Sequence, residues 1–213
     1  MADALAARNE DALIVVDVQN DFVRGGALAA PDGEAIVPLV NRLTAVFAQV
    51  VLTQDWHPRG HASFASSHPG AKPFDVIAMP YGPQVLWPDH CVQGSYGAAL
   101  VDGLSLDSAF LVLRKGIHAA VDSYSAFVEA DGKTTTGLAA LLGARGVGRV
   151  FICGLATDFC VAYSALDARA AGFETCVVDD ACRAIDANGS LAAAWARMDA
   201  AGVRRVASSA LLP

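Results

Sequence analysis

Residues 12–17 of the chain read Ala-Leu-Ile-Val-Val-Asp, a continuous apolar run that ends in a carboxylate. A strand with one face in solvent would alternate apolar and polar residues, whereas an uninterrupted run predicts a strand covered on both faces. Further runs of this kind recur along the chain. They cover residues 50–54, 110–114, 149–153, 175–179 and, more weakly, 203–207.

Stretches with helical periodicity lie between these runs. Residues 34–47 place their apolar side chains on one stripe, and residues 138–144, 158–171 and 190–201 also have helical patterns. Gly172 and Gly202 sit where the C-caps of two of these helices are expected. The alternation of strands and helices predicts a single α/β domain, with a doubly wound, mostly parallel sheet and helices on both faces.

The segment from about residue 56 to residue 108 interrupts this alternation. It contains prolines, glycines, aromatic residues and histidines with little periodicity. So long a segment within a compact domain is usually functional or disordered, and its aromatic residues argue against disorder. We expect one domain over residues 1–213, in which this segment serves as a metal- and substrate-binding loop region.

The composition narrows the class of protein. Hydrophobic residues make up 54% of the chain and charged residues 17%, which is typical of a globular protein. The net charge of −7 and the lack of a basic cluster argue against nucleic acid as a partner, and no apolar run has the length of a membrane span. The sequence is also compatible with a homo-oligomer.

The cysteines and the first residues bear on the compartment. Residues 1–10 lack the order of regions found in a secretory signal peptide. The cysteines number five, and an odd count without such a signal favours reduced thiols. We therefore expect a cytoplasmic protein.

Reactive side chains follow the predicted strands. In an open α/β sheet, ligands bind beyond the carboxyl ends of the strands. Asp17 ends the first predicted strand, Asp55 and His57 follow the second, Lys115 follows the third, and Cys160 comes soon after the fourth. Each residue alone would be read as a solvated charge or a packing thiol. Their convergence at one edge of the sheet indicates an active site.

Cys160 has the surroundings of a nucleophile. A helix that begins at Thr157 or Asp158 would direct its backbone N–H groups towards the sulfur, which favours a thiolate and a developing oxyanion. Asp17 could take the thiol proton and return it to a leaving amine, and Lys115 could stabilise the charged intermediate. These roles suit attack on a carboxamide.

A metal site is the second hypothesis from the residues. Asp55 and His57 are alternate residues just past a strand, so both side chains could point the same way, and His90 could fold over them. One carboxylate and two imidazoles suit zinc, iron or manganese and leave positions for water or substrate. Spacing alone is also consistent with histidines that are merely hydrogen-bonded in a loop.

Several motifs, in this order, resemble those of the nicotinamidase/pyrazinamidase family within the isochorismatase-like cysteine hydrolases. The similarity extends over nearly the whole chain. The motifs are ALIVVDVQNDF (residues 12–22), DWHP (55–58), HASF (61–64), WPDHCV (87–92), KG (115–116) and GLATDFCV (154–161).

The resemblance implies a catalytic triad of Asp17, Lys115 and Cys160. It also implies a non-proline cis peptide between Leu155 and Ala156, which would turn the Ala156 N–H, beside that of Cys160, towards the oxyanion. 

The resemblance further implies a binding site for an aromatic ring. It carries a metal role onto Asp55, His57 and His90, with zinc expected and iron or manganese as alternatives, and leaves His61 as an optional fourth ligand or a supporting residue. The metal would hold a pyridine nitrogen. Aromatic walls are implied at Phe22, Trp87 and Tyr124, although ordinary core packing competes with this interpretation, above all for Phe22.

The implied reaction is hydrolysis of nicotinamide to nicotinate and ammonia through a cysteine thioester, within NAD salvage, with pyrazinamide as a further substrate. The alternative is another isochorismatase-like amidohydrolase that acts on a carbamoyl or ureido substrate. The metal set argues against it, because many of those relatives lack that set. An inactive binding module is disfavoured by the intact triad, and redox sensing through Cys160 is better explained as a liability of a nucleophilic thiol.

Overall fold

The computed structural model describes residues 5–213, so that four of the ten residues considered above for a signal peptide lie outside the described part. Eight strands are found in this part of the chain, two of them in the long central segment. Their bounds are β1 Asp11–Val16, β2 Gln49–Asp55, β3 Val76–Met79, β4 Gly82–Val85, β5 Ala109–Lys115, β6 Arg149–Leu155, β7 Glu174–Arg183 and β8 Arg204–Val206.

Six of these strands form one sheet in the order β5-β2-β1-β6-β7-β8, and every neighbouring pair is parallel. The α-helices between them are α1 Val37–Thr44, α2 Leu138–Ala144, α3 Ala162–Ala170 and α4 Ser190–Ala200. The predicted fold, a doubly wound α/β domain, is confirmed.

The first strand occupies the middle of the sheet, as its uninterrupted apolar sequence requires. β1 pairs with β2 on one side and with β6 on the other, and residues 12–16 are each at most 1% exposed. The edge strand β5 differs, because its exposed and less exposed residues alternate. Burial on both faces is therefore confined to the inner strands.

Two predicted helices are shorter than their sequence patterns. The helix predicted over residues 34–47 is a 3₁₀ turn, Gly33–Ile36, followed by α1, which has Pro38 in its first turn. A proline is well placed there, since the first-turn amides have no partner within the helix. The helix predicted over residues 158–171 begins instead as a single π-type turn, Thr157–Val161, before α3.

The long central segment contains structure that its sequence did not reveal. β3 and β4 form an antiparallel hairpin apart from the main sheet. Both strands have only four residues, only one of which, Gln84, is buried, and β4 contains Pro83, so neither produced a clear strand pattern. Within residues 5–213, no helix combines the length and apolar character needed to cross a membrane.

One close approach between strands brings the catalytic edge together. Gly154 of β6 lies beside Val16 of β1 with φ +118°, a conformation that favours glycine. A Cβ atom at this position would overlap the carbonyl oxygen of Val16. Asp17 follows directly, with φ +47°. The contact between Val16 and Gly154 thus fixes the positions at which the chain leaves β1 and β6, and with them the position of Asp17.

We expect Gly154→Ala to lower the free energy of unfolding by at least about 3 kcal/mol, through backbone overlap and a strained φ. Urea denaturation followed by circular dichroism measures this change. Gly148→Ala is the matched control, since a Cβ atom there meets nothing within 4 Å. Equal stability of the two variants would contradict the importance of this contact.

Candidate active site

The carboxyl ends of β1, β2 and β5 and the turn after β6 bring four reactive side chains together. The ammonium of Lys115, the last residue of β5, lies 2.8 Å from Asp17 Oδ2, 2.6 Å from Asp55 Oδ1 and 3.4 Å from Cys160 Sγ. It also donates to the carbonyl oxygen of Ser123 at 2.9 Å. The structure therefore joins the three predicted catalytic residues and one predicted metal ligand in a single buried cluster.

Lys115 remains charged despite its burial. The residue is only 1% exposed, and burial by itself would lower the pKa of its amine. The carboxylates of Asp17 and Asp55 outweigh this effect and raise the pKa of Lys115 well above its usual value. In turn, burial would raise the pKa of Asp55, but Lys115 and His57 hold it well below the ordinary value. The site thus keeps an ammonium and a carboxylate in contact away from water.

The carboxylate of Asp17 has one occupied oxygen and one available oxygen. The hydroxyl of Thr53 accepts a hydrogen bond from the Asp17 backbone N–H at 3.1 Å and donates to Oδ1 at 2.6 Å. Oδ2 lies against the Lys115 ammonium, but no donor in residues 5–213 is aligned to hydrogen-bond it. Burial raises the pKa of Asp17 against the opposing effect of Lys115. Asp17 can therefore act as a base through Oδ2.

Cys160 enters the site as a thiol. It is 5% exposed, and burial raises the pKa of its sulfur well above the usual value, although Lys115 acts in the opposite direction. Burial therefore opposes the thiolate that the donors of a helix start would favour. Cys160 also lies in the π-type turn, before α3 begins. The thiol needs a base, and ligand atoms of Asp17 and Asp55 lie within 4.8 Å of its sulfur.

The two other predicted metal ligands, His57 and His90, lie on the side of Asp55 that faces away from Lys115. The Oδ2 atom of Asp55 lies 3.3 Å from His57 Nε2 and 3.6 Å from His90 Nε2, while its Oδ1 contacts Lys115. All three ligand residues are buried, and their ligand atoms lie within 4.8 Å of one another. Asp55 therefore connects the metal-type cluster to the catalytic lysine.

The hydrogen bonds of the two imidazoles suit a cation. His57 Nδ1 lies 3.0 Å from the carbonyl oxygen of Gly116, and His90 Nδ1 lies 2.8 Å from that of Pro88. Because a carbonyl only accepts, each Nδ1 carries a hydrogen, and the lone pair with which each ring could bind a metal is that of Nε2. Two such lone pairs facing a carboxylate oxygen fit a divalent metal well.

His61 does not join this ligand set. Its ring packs on His57 with centroids 4.2 Å apart. Its Nδ1 accepts from the hydroxyl of Ser63 at 2.7 Å, and its Nε2 donates to the carbonyl oxygens of His118 and Val121 at 3.0 and 3.2 Å. Since both ring nitrogens are engaged within the protein, the structure favours a supporting role over that of a fourth ligand.

The predicted aromatic residues surround a pocket at this cluster. Phe22, Trp87 and Tyr124 line it together with Ala156 and Cys160, and it is narrow, with a volume of about 20 Å³. The peptide bond between Leu155 and Ala156 is cis, as the resemblance implied. The residues proposed for the ring, the oxyanion and the nucleophile therefore face one cavity.

Asp122 and Thr53 are among the residues of the site that sequence reasoning missed. Asp122 is 2% exposed and lines the pocket, yet in the sequence it looks like an ordinary loop carboxylate. Thr53 could have been recognised, because it is a polar residue in an apolar strand and lies two positions before Asp55, on the same face. It orients Asp17 through the two hydrogen bonds described above.

We expect Gly116→Ala to lose bound metal, because the added Cβ atom would lie 2.5 Å from His57 Cε1 and 2.6 Å from Nδ1. Elemental analysis of the purified protein gives the metal content per chain. Gly132→Ala is the matched control: both glycines have φ +67°, but a Cβ atom at residue 132 meets nothing within 4 Å. Retention of a full metal complement by Gly116→Ala would contradict the ligand role of His57.

Comparisons with known proteins agree with this geometry. Residues 11–210 match the Isochorismatase domain model. The chain is 56% identical to a nicotinamidase of Acinetobacter baylyi over 204 residues, which are 96% of this chain and 95% of that protein.

Two solved structures are also similar. PnC1 from L. infantum, in complex with nicotinate, superposes with a TM-score of 0.86 at 41% identity and 98% coverage of both chains. The pyrazinamidase of Pyrococcus horikoshii, in complex with zinc, has a TM-score of 0.75 at 37% identity, covering 93% of this chain and 99% of the other. The chain belongs to the nicotinamidase/pyrazinamidase family of isochorismatase-like hydrolases.

Proposed function

We propose that the protein hydrolyses nicotinamide to nicotinate and ammonia, and that it also converts pyrazinamide to pyrazinoate. The observation that carries this proposal is the buried contact of Asp17, Lys115 and Cys160 at an aromatic pocket. The identity to a nicotinamidase over nearly the whole chain supports the same reaction. Because nicotinate is a precursor of pyridine nucleotides, the activity belongs to NAD salvage.

The first half of the reaction forms a thioester. Oδ2 of Asp17 takes the thiol proton as the sulfur of Cys160 attacks the carboxamide carbon. The backbone N–H groups of Ala156 and Cys160 hold the oxygen that becomes negative, and the charge of Lys115 stabilises the intermediate. Asp17 then returns the proton to the amide nitrogen, the C–N bond breaks, and ammonia leaves.

The second half regenerates the thiol. Asp17, again a carboxylate, accepts a proton from a water molecule that attacks the thioester carbon. The carbon–sulfur bond then breaks, nicotinate is released, and the proton held by Asp17 returns to the sulfur of Cys160. One carboxylate thus serves as base and acid in both halves, which fits its single available oxygen.

Asp55, His57 and His90 would hold a divalent metal, which we propose to be zinc. Their donor set suits zinc, as well as iron or manganese, and a pyrazinamidase of similar structure was solved with zinc. When bound, the ion supplies a positive site for the ring nitrogen of the substrate. Phe22, Trp87 and Tyr124 would wall the ring.

We expect Cys160→Ala and Asp17→Asn to reduce ammonia release from nicotinamide by at least about 1,000-fold while the fold is kept. Alanine removes the nucleophile, and asparagine keeps the shape of Asp17 but cannot accept the proton. A coupled ammonia assay measures the rate, and circular dichroism checks the fold. Cys176→Ala, which changes another buried cysteine, should keep normal activity. Near-normal turnover by a folded Cys160→Ala protein would rule out the covalent mechanism.

The role of the metal can be tested with two amides. Nicotinamide has a ring nitrogen and benzamide has none, so the loss of an ion that anchors this nitrogen should affect only nicotinamide. We expect benzamide to react poorly, and removal of the metal to lower kcat/KM at least about 100-fold for nicotinamide but little for benzamide. Steady-state kinetics with and without metal measure both values. Parallel losses for the two amides would contradict the anchoring role.

A further inference from the structure

Tyr124 separates the substrate pocket from a second cavity. The second cavity has a volume of about 310 Å³, against about 20 Å³ for the pocket that contains Cys160, and both open to solvent. Among the described residues, Tyr124 is the one that lines both. This second cavity, the outer cavity, is also lined by two tyrosines, by a proline and by two carboxylates: Tyr81, Tyr163, Pro83, Glu129 and Asp167. The side chain of Tyr124 is therefore a partition between two spaces.

The hydroxyl of Tyr124 is held by Trp87, whose Nε1 donates to it at 3.0 Å. Gln84 Nε2 lies 3.2 Å from the same hydroxyl, but the nearer acceptors of its two hydrogens are Asp122 Oδ2 and the carbonyl oxygen of Val85, each at 2.7 Å. The amide of Gln84 cannot be reversed, because its Nε2 donates to Asp122 Oδ2 and its Oε1 accepts from Tyr81 at 3.1 Å. Gln84 belongs to the hairpin strand β4, so the hairpin fixes the partition in place.

The aromatic neighbours of Tyr124 hold its ring from both sides. Its centroid lies 5.8 Å from that of Phe159, which lines the substrate pocket, and 5.0 Å from that of Tyr163, which lines the outer cavity. A ring packed in this way and bonded at its hydroxyl cannot swing aside without breaking several contacts. Tyr124 therefore closes the substrate pocket on the side of the outer cavity, and a ligand that extends in this direction would meet its ring.

The chemistry of the substrate defines what could pass the partition. When the ring nitrogen faces Asp55, His57 and His90 and the carboxamide carbon faces Cys160, carbons 4, 5 and 6 of the pyridine form the free edge of the ring. A second ring fused to this edge would extend away from the reacting atoms. The tyrosines of the outer cavity would offer aromatic faces and edges to such a ring.

We propose that Tyr124 limits this site to single-ring carboxamides, and that its removal admits fused bicyclic aromatic carboxamides, whose second ring occupies the outer cavity. The inference rests on the proposed function, since nicotinamide hydrolysis is the parent reaction. Tyr124 is a specificity-determining residue in this scheme, and Gln84 is a residue that positions it.

The test uses two bicyclic amides that keep the nitrogen and the carboxamide in the arrangement of nicotinamide. Quinoline-3-carboxamide carries its second ring on carbons 5 and 6 of the pyridine, and isoquinoline-4-carboxamide carries it on carbons 4 and 5. We expect the parent enzyme to hydrolyse both at least 100-fold less efficiently than nicotinamide. In Tyr124→Ala, the absolute kcat/KM for at least one of them should rise 10-fold or more, while that for nicotinamide falls.

Three variants make the test specific. Tyr124→Phe keeps the ring and should show no gain. Tyr124→Leu has a smaller side chain than tyrosine and should show a smaller gain than Tyr124→Ala. The leucine variant carries the test if the alanine variant does not fold. Tyr163→Ala enlarges the outer cavity but keeps Tyr124 and its hydrogen bond from Trp87, and it should give no gain. The proposal is overturned if the parent enzyme already accepts a bicyclic amide, if folded Ala and Leu variants gain nothing, or if Tyr163→Ala gains as much. A parent enzyme that releases no ammonia from nicotinamide would instead refute the proposed function.

Discussion

The buried ammonium of Lys115 is the interaction on which the rest of the site depends. Two carboxylates and a thiol approach it within 3.4 Å, in a place where all of these side chains are shielded from solvent. An ion transferred from water to such a place costs several kcal/mol unless it is paired and hydrogen-bonded. Asp17 and Asp55 could not share this space as anions without the lysine, and the lysine could not stay charged without them.

The same lysine links the two functions of the site. On one side it contacts Asp17 and Cys160, which would exchange a proton in the proposed mechanism, and on the other it contacts Asp55, which faces two imidazoles. With two carboxylates already beside one ammonium, a resting thiolate would add a further negative charge. This arrangement favours a thiol at rest, and in the proposed mechanism Asp17 receives its proton as the carbon–sulfur bond forms.

The strand-end residues could be predicted because parallel topology leaves little choice. Once the apolar runs are read as parallel strands, Asp17, Asp55 and Lys115 must meet at one edge, whatever the details of packing. Pairing of the individual atoms could not be predicted. Asp55 contacts Lys115 through one carboxylate oxygen and the histidines through the other, and Thr53 holds Asp17. Both arrangements arise from tertiary contacts between side chains.

Other features were hidden by weak local signals. The hairpin that carries Gln84 is short, partly exposed and interrupted by Pro83, so its strands leave no clear pattern. Asp122 follows no apolar run that would mark it as a strand end. The π-type turn at Cys160 has the composition of a helix start. The burial of the Cys160 sulfur, which disfavours the thiolate, depends on the whole fold.

The most direct test of this account is the coupling free energy between Asp17 and Lys115. Urea unfolding of Lys115→Met, Asp17→Asn and the double variant gives the three destabilisations of a double-mutant cycle. If the ammonium makes the buried carboxylate tolerable, the double variant should be destabilised by at least about 1.5 kcal/mol less than the sum of the single variants. Additivity within about 0.5 kcal/mol would show that the two charges do not depend on each other and would contradict the account.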